Sequence, residues 1–212
     1  MKTDKIDFIR TKLLKWYEKN KKDLPWRKTE DLFKVLISEI FLQKTNTSSV
    51  DNIYEPFFSK YHNFNDLYKA DPEELKSDIE ELGLVNRRVK TLKSLGKLVM
   101  GEYNGEIPPD SDTLKEIYGI GDYISKAFRC FGLNKREIFL DTNIKRILQR
   151  IWESRKQKNL KNRLDQLMPA KHFQEFYYAL LDFGSKICSQ NRPECNICPF
   201  SPICDYYQKR TD

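Results

Sequence analysis

Four cysteines, Cys188, Cys195, Cys198 and Cys204, stand in the spacing C-x6-C-x2-C-x5-C within the last 25 residues. Four thiolates this close can hold one metal centre, and zinc and a [4Fe–4S] cluster are the two options. A four-cysteine zinc site usually shows two C-x2-C pairs, and this run has one. Cys130 stands apart among Ala127, Phe128 and Phe131 and reads as a small buried hydrophobe. Upstream, Gly119 and Gly121 flank Ile120 in the run LKEIYGIGDYISKA. Two glycines let the backbone turn sharply between helices. The turn exposes amide N–H groups at the start of the second helix, where a phosphate can bind. A plain helix–helix connection is the alternative. Twenty residues beyond Gly121 comes Asp141, after Phe139-Leu140 and before Thr142-Asn143. An aspartate opening a helix is ordinarily an N-cap.

The elements that must position these residues read as helices nearly throughout. Ile6, Ile9, Leu13 and Trp16 line one face of a first helix. Residues 23–29 (DLPWRKT) read as a loop, and 32–41 as a strongly apolar, buried helix. A glutamate in so apolar a helix, Glu39, either faces solvent or needs a partner or a raised pKa. Val50, Ile53, Tyr54, Phe57 and Phe58 mark another helix. Asp71-Pro72-Glu73-Glu74 is a helix start, with Asp as N-cap, Pro at N1 and Glu at N3. Helix is expected again over 89–103, around Gly119 and Gly121, after Asp141, near 160–167 and over 173–183, with a turn-rich break at 104–110 (NGEIPPD). No strand pattern emerges, so the class is all-α.

Composition bounds the partners. With 39% hydrophobic and 13% aromatic residues, the chain can bury a core. Thirty-eight Lys and Arg against 31 Asp and Glu give a net charge of +7, which favours a polyanionic partner. No apolar stretch is long enough to span a bilayer, so no membrane partner is expected. The charged first ten residues carry no secretory signal, which implies an intracellular location, cytoplasm with nucleoid or nucleus. Cysteines in a reducing compartment point to a metal site and away from disulfides. A monomer is expected.

Taken in order, the glycine hairpin, Asp141 about 20 residues later and the terminal four-cysteine loop resemble the helix-hairpin-helix DNA glycosylase superfamily, the endonuclease III and MutY group. The resemblance covers roughly residues 24–207. It implies two helical lobes with a cleft between them. Residues 25–134 would form the lobe with the hairpin (111–131), and residues 1–24 plus 135–212 the cluster lobe, with its loop at 188–204. It implies a [4Fe–4S] cluster on Cys188, Cys195, Cys198 and Cys204, and a double-stranded DNA partner holding a mismatched or damaged base. Asp141 falls at the catalytic aspartate. The usual hairpin reads L-P-G-h-G, whereas this chain has Ile117-Tyr118 before Gly119 and the acidic Asp122 after Gly121.

Three positions narrow the resemblance. Bifunctional lyases carry a nucleophilic lysine two residues after the second hairpin glycine, and this chain has Tyr123. Without that amine no Schiff base forms by that route, so efficient AP-lyase activity is not expected. Ser38-Glu39 matches adenine glycosylases of the MutY kind and archaeal G·T mismatch glycosylases of the Mig kind. The run GLVNRR, residues 83–88, and Tyr123 resemble the Mig-type enzymes better. The chain stops soon after the cysteines, whereas adenine enzymes usually add a C-terminal domain that reads 8-oxoguanine. The expected activity is therefore monofunctional release of T or U opposite G. By resemblance Asp141, Glu39 and Tyr123 are the catalytic residues. Gly119, Ile120, Gly121, Gln43, Lys44, Asn86, Arg87, Lys186 and Arg192 are the expected DNA contacts. The alternatives are an adenine glycosylase lacking its extra domain, a non-catalytic DNA-binding iron–sulfur protein, and an electron carrier.

Overall fold

A computed structural model describes residues 2–153 and 156–211, and no strand occurs among them. The chain divides into two compact units, one formed by Met1–Lys22 with Ile138–Asp212, the other by Asp23–Glu137. The first unit begins with α1 (Lys2–Glu18). The chain then enters the second unit with α2 (Leu32–Leu42), α3 (Thr47–Lys60), α4 (Phe64–Lys69), α5 (Pro72–Asp78), α6 (Val85–Glu102), α7 (Ser111–Glu116) and α8 (Asp122–Phe131). It returns to the first through α9 (Thr142–Trp152), α10 (Gln157–Leu167), α11 (Phe173–Lys186) and α12 (Asp205–Thr211).

In the second unit α2 is buried on nearly every side, at Phe33 and from Val35 through Phe41, as its mostly apolar sequence requires, and Ser38 and Glu39 are buried with it. It packs on α3, α6 and α8. Edge-on aromatic pairs such as Phe41 with Phe57, 4.9 Å between centroids, fill the space between α2 and α3. The start of α5 matches its sequence signature. Asp71 accepts from the amides of Glu73 (2.8 Å) and Glu74 (3.1 Å), and Pro72 opens the helix. Two details depart from the reading above. Residues 23–29 are not a featureless loop, because Pro25–Arg27 form a 3-10 turn that buries Trp26. Helix α6 begins at Val85, four residues before the expected start, behind two left-handed residues, Gly83 and Leu84.

In the first unit α9 lies against α10, α11 and α12, while α1 covers α10 and α11. Ile9 and Leu13 of α1, Ile147 and Leu148 of α9, Leu164 of α10 and Phe176, Leu180 and Phe183 of α11 are all buried. The approach to α9 is held by Phe139, whose ring stacks on Tyr177 at 4.2 Å and whose amide donates to the Tyr177 hydroxyl at 3.0 Å. No helix of the described residues is long and apolar enough to cross a membrane.

Candidate active site and cysteine loop

Asp141 is the N-cap of α9. Its Oδ1 accepts from the Ile144 amide at 2.6 Å, and its Oδ2 accepts from Asn143 Nδ2 at 3.2 Å. Burial raises its pKa above the usual carboxylate value, against the opposing pull of those hydrogen bonds and of the Arg146 charge. The carboxylate is therefore fixed in place and poorly hydrated. Asn143 is fixed in turn, because its Oδ1 accepts from Arg146 Nη2 at 2.6 Å. Arg146 also donates to the carbonyls of Gly184 (2.7 Å) and Cys188 (2.8 Å). Gly184 of α11 faces Asn143 so closely that an added Cβ would lie 2.7 Å from the Asn143 Cβ. The absence of a side chain at Gly184 lets the start of α9 approach α11.

The four loop cysteines line one small cavity with Arg150, Ile187 and Tyr207. All four are free thiols. Burial pushes Cys198 up to about 11 and raises Cys195 and Cys204, which disfavours the bare thiolates. Donors for thiolates are already in place. Arg150 Nη1 donates to Cys188 Sγ at 3.3 Å, and the Phe200 amide donates to Cys198 Sγ at 3.4 Å. Arg150 also ties the loop backbone, donating to the carbonyls of Ser189 (2.7 Å) and Gln190 (3.0 Å). Four thiolates on one zinc, each about 2.3 Å from it, must lie about 3.8 Å apart. Among the described residues no group of three or more His, Cys, Asp or Glu is set to hold a single metal ion. Four thiols lining one cavity are a donor set that suits a metal centre. Cys130 is fully buried in the other unit, and burial raises its thiol far above the usual range. It is not part of this loop.

In the second unit, the turn between α7 and α8 carries the hairpin glycines. Gly119 has φ +86°, and a Cβ there would collide with the Thr91 side chain of α6. Gly121 caps α8 without any side-chain cap, and a Cβ there would meet nothing within 4 Å. Its amide donates to no backbone carbonyl among the described residues. Ile120, between the two glycines, turns inward. Its side chain is buried, and its amide already donates to the Ile117 carbonyl at 3.0 Å. Asp122 pairs with Lys126 at 2.9 Å, which draws its charge along the helix and away from the turn. Tyr123 is half-buried against the unit's core. Glu39 is buried on α2 rather than facing solvent.

Gln43 and Lys44 follow the end of α2, with Lys44 exposed and left-handed at φ +59°. Asn86 and Arg87 are exposed at the start of α6. Lys186 is exposed and donates to Asn20 Oδ1 at 2.7 Å, while Arg192 is exposed in the cysteine loop. Asp141, Lys186, Arg192 and the cysteines belong to the first unit, and every other predicted site residue to the second. Two residues escaped the sequence reading. Leu84 is 48% exposed, an apolar tip beside Gly83 and left-handed at φ +51°. Arg88 is 3% exposed. It shares a helical stripe with Leu92, Leu95 and Val99, a spacing that marks a buried arginine.

Residues 37–170 match the family model of the HhH-GPD superfamily base excision DNA repair protein. A thymine/uracil-DNA glycosylase of Methanothermobacter thermautotrophicus is 33% identical, over 95% of this chain and 94% of its own. An adenine DNA glycosylase of Mycolicibacterium smegmatis is 32% identical over 89% of this chain but only 66% of its own. The solved structure of a thermostable thymine-DNA glycosylase superposes with a TM-score of 0.90 at 32% identity, covering 97% of this chain and 98% of that one. With a family model spanning well over half of its length and full-length relatives a third identical, this chain belongs to the HhH-GPD superfamily of base excision DNA repair proteins.

Proposed function

We propose that this protein is a monofunctional DNA glycosylase that releases thymine or uracil mispaired with guanine. The observation that carries the reading is Asp141, a half-buried carboxylate held by Ile144 and Asn143 at the mouth of α9. The full-length likeness to thymine/uracil-DNA glycosylase supports the choice of base. A target base is buried in the duplex, so its nucleotide must be flipped out before its glycosidic bond can be reached, and a mispaired base unpairs more cheaply. The C1′–N bond then breaks and the base leaves with the electron pair. Positive charge builds on the sugar, as in glycoside hydrolysis. Asp141 stabilises that charge, and water adds to C1′ and releases a proton that neutralises the departed base anion. Glu39 binds the base edge or positions the water, and Tyr123 packs against the flipped nucleotide. Tyr123 offers no amine for imine formation, which leaves the strand intact.

The uncapped Gly121 end of α8 and the basic residues Arg87, Lys186 and Arg192 bind backbone phosphates. Gln43, Lys44 and the exposed Leu84 enter the base stack that the flipped nucleotide leaves. Cys188, Cys195, Cys198 and Cys204 hold a [4Fe–4S] cluster, which supplies the iron–thiolate bonds that fix the loop carrying Arg192. The test is a panel of duplexes containing G·T, G·U, A·G, A·8-oxoguanine or thymine glycol, incubated with the protein and then treated with alkali. Cleavage confined to G·T and G·U, appearing only after alkali, is expected. Release of adenine in preference to either pyrimidine would overturn the assignment of base. Iron and sulfide at about four each per chain are expected of the purified protein, and stoichiometric zinc in active protein would remove the cluster.

A further inference from the structure

Arg88 is a buried cation with no carboxylate among its hydrogen-bond partners in the described residues. Its guanidinium donates to the carbonyls of Ile40 (2.5 Å), Gln43 (2.8 Å), Gly83 (2.9 Å) and Leu82 (3.4 Å), and to Thr45 Oγ1 (2.5 Å). Two of these acceptors belong to the C-terminal end of α2, where carbonyls lack helical partners and carry partial negative charge. Two others belong to the turn before α6. Thr45 completes the clasp by donating from Oγ1 to the Leu82 carbonyl at 3.0 Å. Burying a guanidinium this way is costly unless every donor finds an acceptor. A fold needing only an apolar filler at this position would be served by leucine or methionine. What the guanidinium does is lock two surface turns together. One carries Gln43 and the exposed Lys44, the other the exposed Leu84, and Lys44 and Leu84 hold left-handed backbone that a loose turn would relax.

We infer that Arg88 is a positioning residue, which sets the spacing of the Gln43–Lys44 and Leu84 prongs so that both enter the duplex in register when the target nucleotide flips. The inference rests on the base-flipping reading above. Arg88 touches no DNA in this role. Its effect is confined to substrates whose stack must be opened. Lysine retains the charge but presents a single ammonium in place of the fork, so it cannot hold both turns.

The experiment compares uracil release from two duplexes, one with uracil paired opposite guanine and one with uracil opposite an abasic site, where the stack is already open. Arg88→Lys and Thr45→Val are the variants, the second removing both bonds of the Thr45 hydroxyl at nearly constant volume. For Arg88→Lys, kcat/KM on G·U is expected to fall about tenfold or more while release opposite the abasic site stays within about threefold of wild type. Thr45→Val shows the same split at smaller amplitude. Fluorescence of 2-aminopurine placed beside the target should rise less with either variant than with wild type. Equal losses on both duplexes, or no loss on G·U, would overturn the inference while leaving the glycosylase intact. If Arg88→Lys does not fold, Thr45→Val decides by the same criterion. Failure of the wild type to release uracil from either duplex would overturn the functional reading and this inference with it.

Discussion

Helices α8 and α9 open in opposite ways. The first residue position of α9 is closed by the Asp141 carboxylate, which takes the Ile144 amide at 2.6 Å. The corresponding position of α8 is Gly121, with no side-chain cap and open space where a Cβ would stand. Both helix ends carry the same partial positive charge from unpaired amides. The cap decides what that end offers. A carboxylate neutralises it and presents net negative charge, suited to a developing sugar cation. A glycine leaves it bare and lets a backbone phosphate come close. One local element, repeated with a different first residue, thus gives two surfaces of opposite electrostatic sense.

The comparison breaks most sharply at Asp141. Asp141→Asn keeps size and capping ability but removes the charge, and base release is expected to fall by at least about a hundredfold, measured under single-turnover conditions. Binding to mismatched duplex should persist. The same variant should be no less stable at neutral pH. Because burial raises the Asp141 pKa, the fold favours the protonated form, and that preference is lost as pH rises through the folded value. Asparagine escapes the cost. Activity within about tenfold of wild type, only about 1.4 kcal/mol of barrier, would reduce Asp141 to a cap.

At the other helix end the two glycines separate. Gly119→Ala should lower stability by about 1–3 kcal/mol, because it needs left-handed backbone and collides with Thr91. Gly121→Ala should fold normally and lose about tenfold in duplex affinity, since its Cβ meets DNA rather than protein. Thermal melts paired with binding titrations distinguish the two, and a Gly121→Ala protein that binds as wild type would remove the bare helix end as a phosphate site. A smaller effect is expected in the pH profile. On the proposed mechanism base release uses ionised Asp141, so the rate should climb with pH along a limb lying above the ordinary aspartate value of about 3.9. A limb at or below that value would mean that the group limiting the rate is not a desolvated carboxylate. The smallest signal is Tyr123→Lys, which should yield a minor borohydride-trapped DNA adduct. Efficient trapping by the wild type would instead identify another lysine as a nucleophile.

Much of this was legible in the chain itself. The helical periodicity of α2 and α3 and the Asp71-Pro72 start of α5 are local signals, and the structure follows them. The start of α6 was not legible, because Gly83 and Leu84 reach it through left-handed backbone that no propensity announces. Short helices α4 and α12 carry too few residues to show a period. At the candidate site, residue types were readable but their accessibility was not. Ile120 sits between two glycines as a contact would, yet it is anchored inward. Arg88 lies on an apolar stripe, yet in the sequence it is one charge among 38 Lys and Arg. Its acceptors are carbonyls contributed by 40 and 43 on one side and 82 and 83 on the other, and only the folded chain brings those together.

Gly184 carries a consequence for engineering. The contact of its bare backbone with Asn143 sets a clearance of atomic size between α9 and α11. Arg146 draws on that same clearance, reaching the carbonyls of Gly184 and Cys188 from one guanidinium. A methyl group at Gly184 would act as a shim, tilting the first turn of α9 and lifting the first cysteine of the loop in a single displacement. Alterations here therefore cannot be tuned one at a time. Any redesign of the loop that thickens α11 near its end will be felt at Asp141, so useful changes should be sought beyond Cys195, where the chain has left that contact.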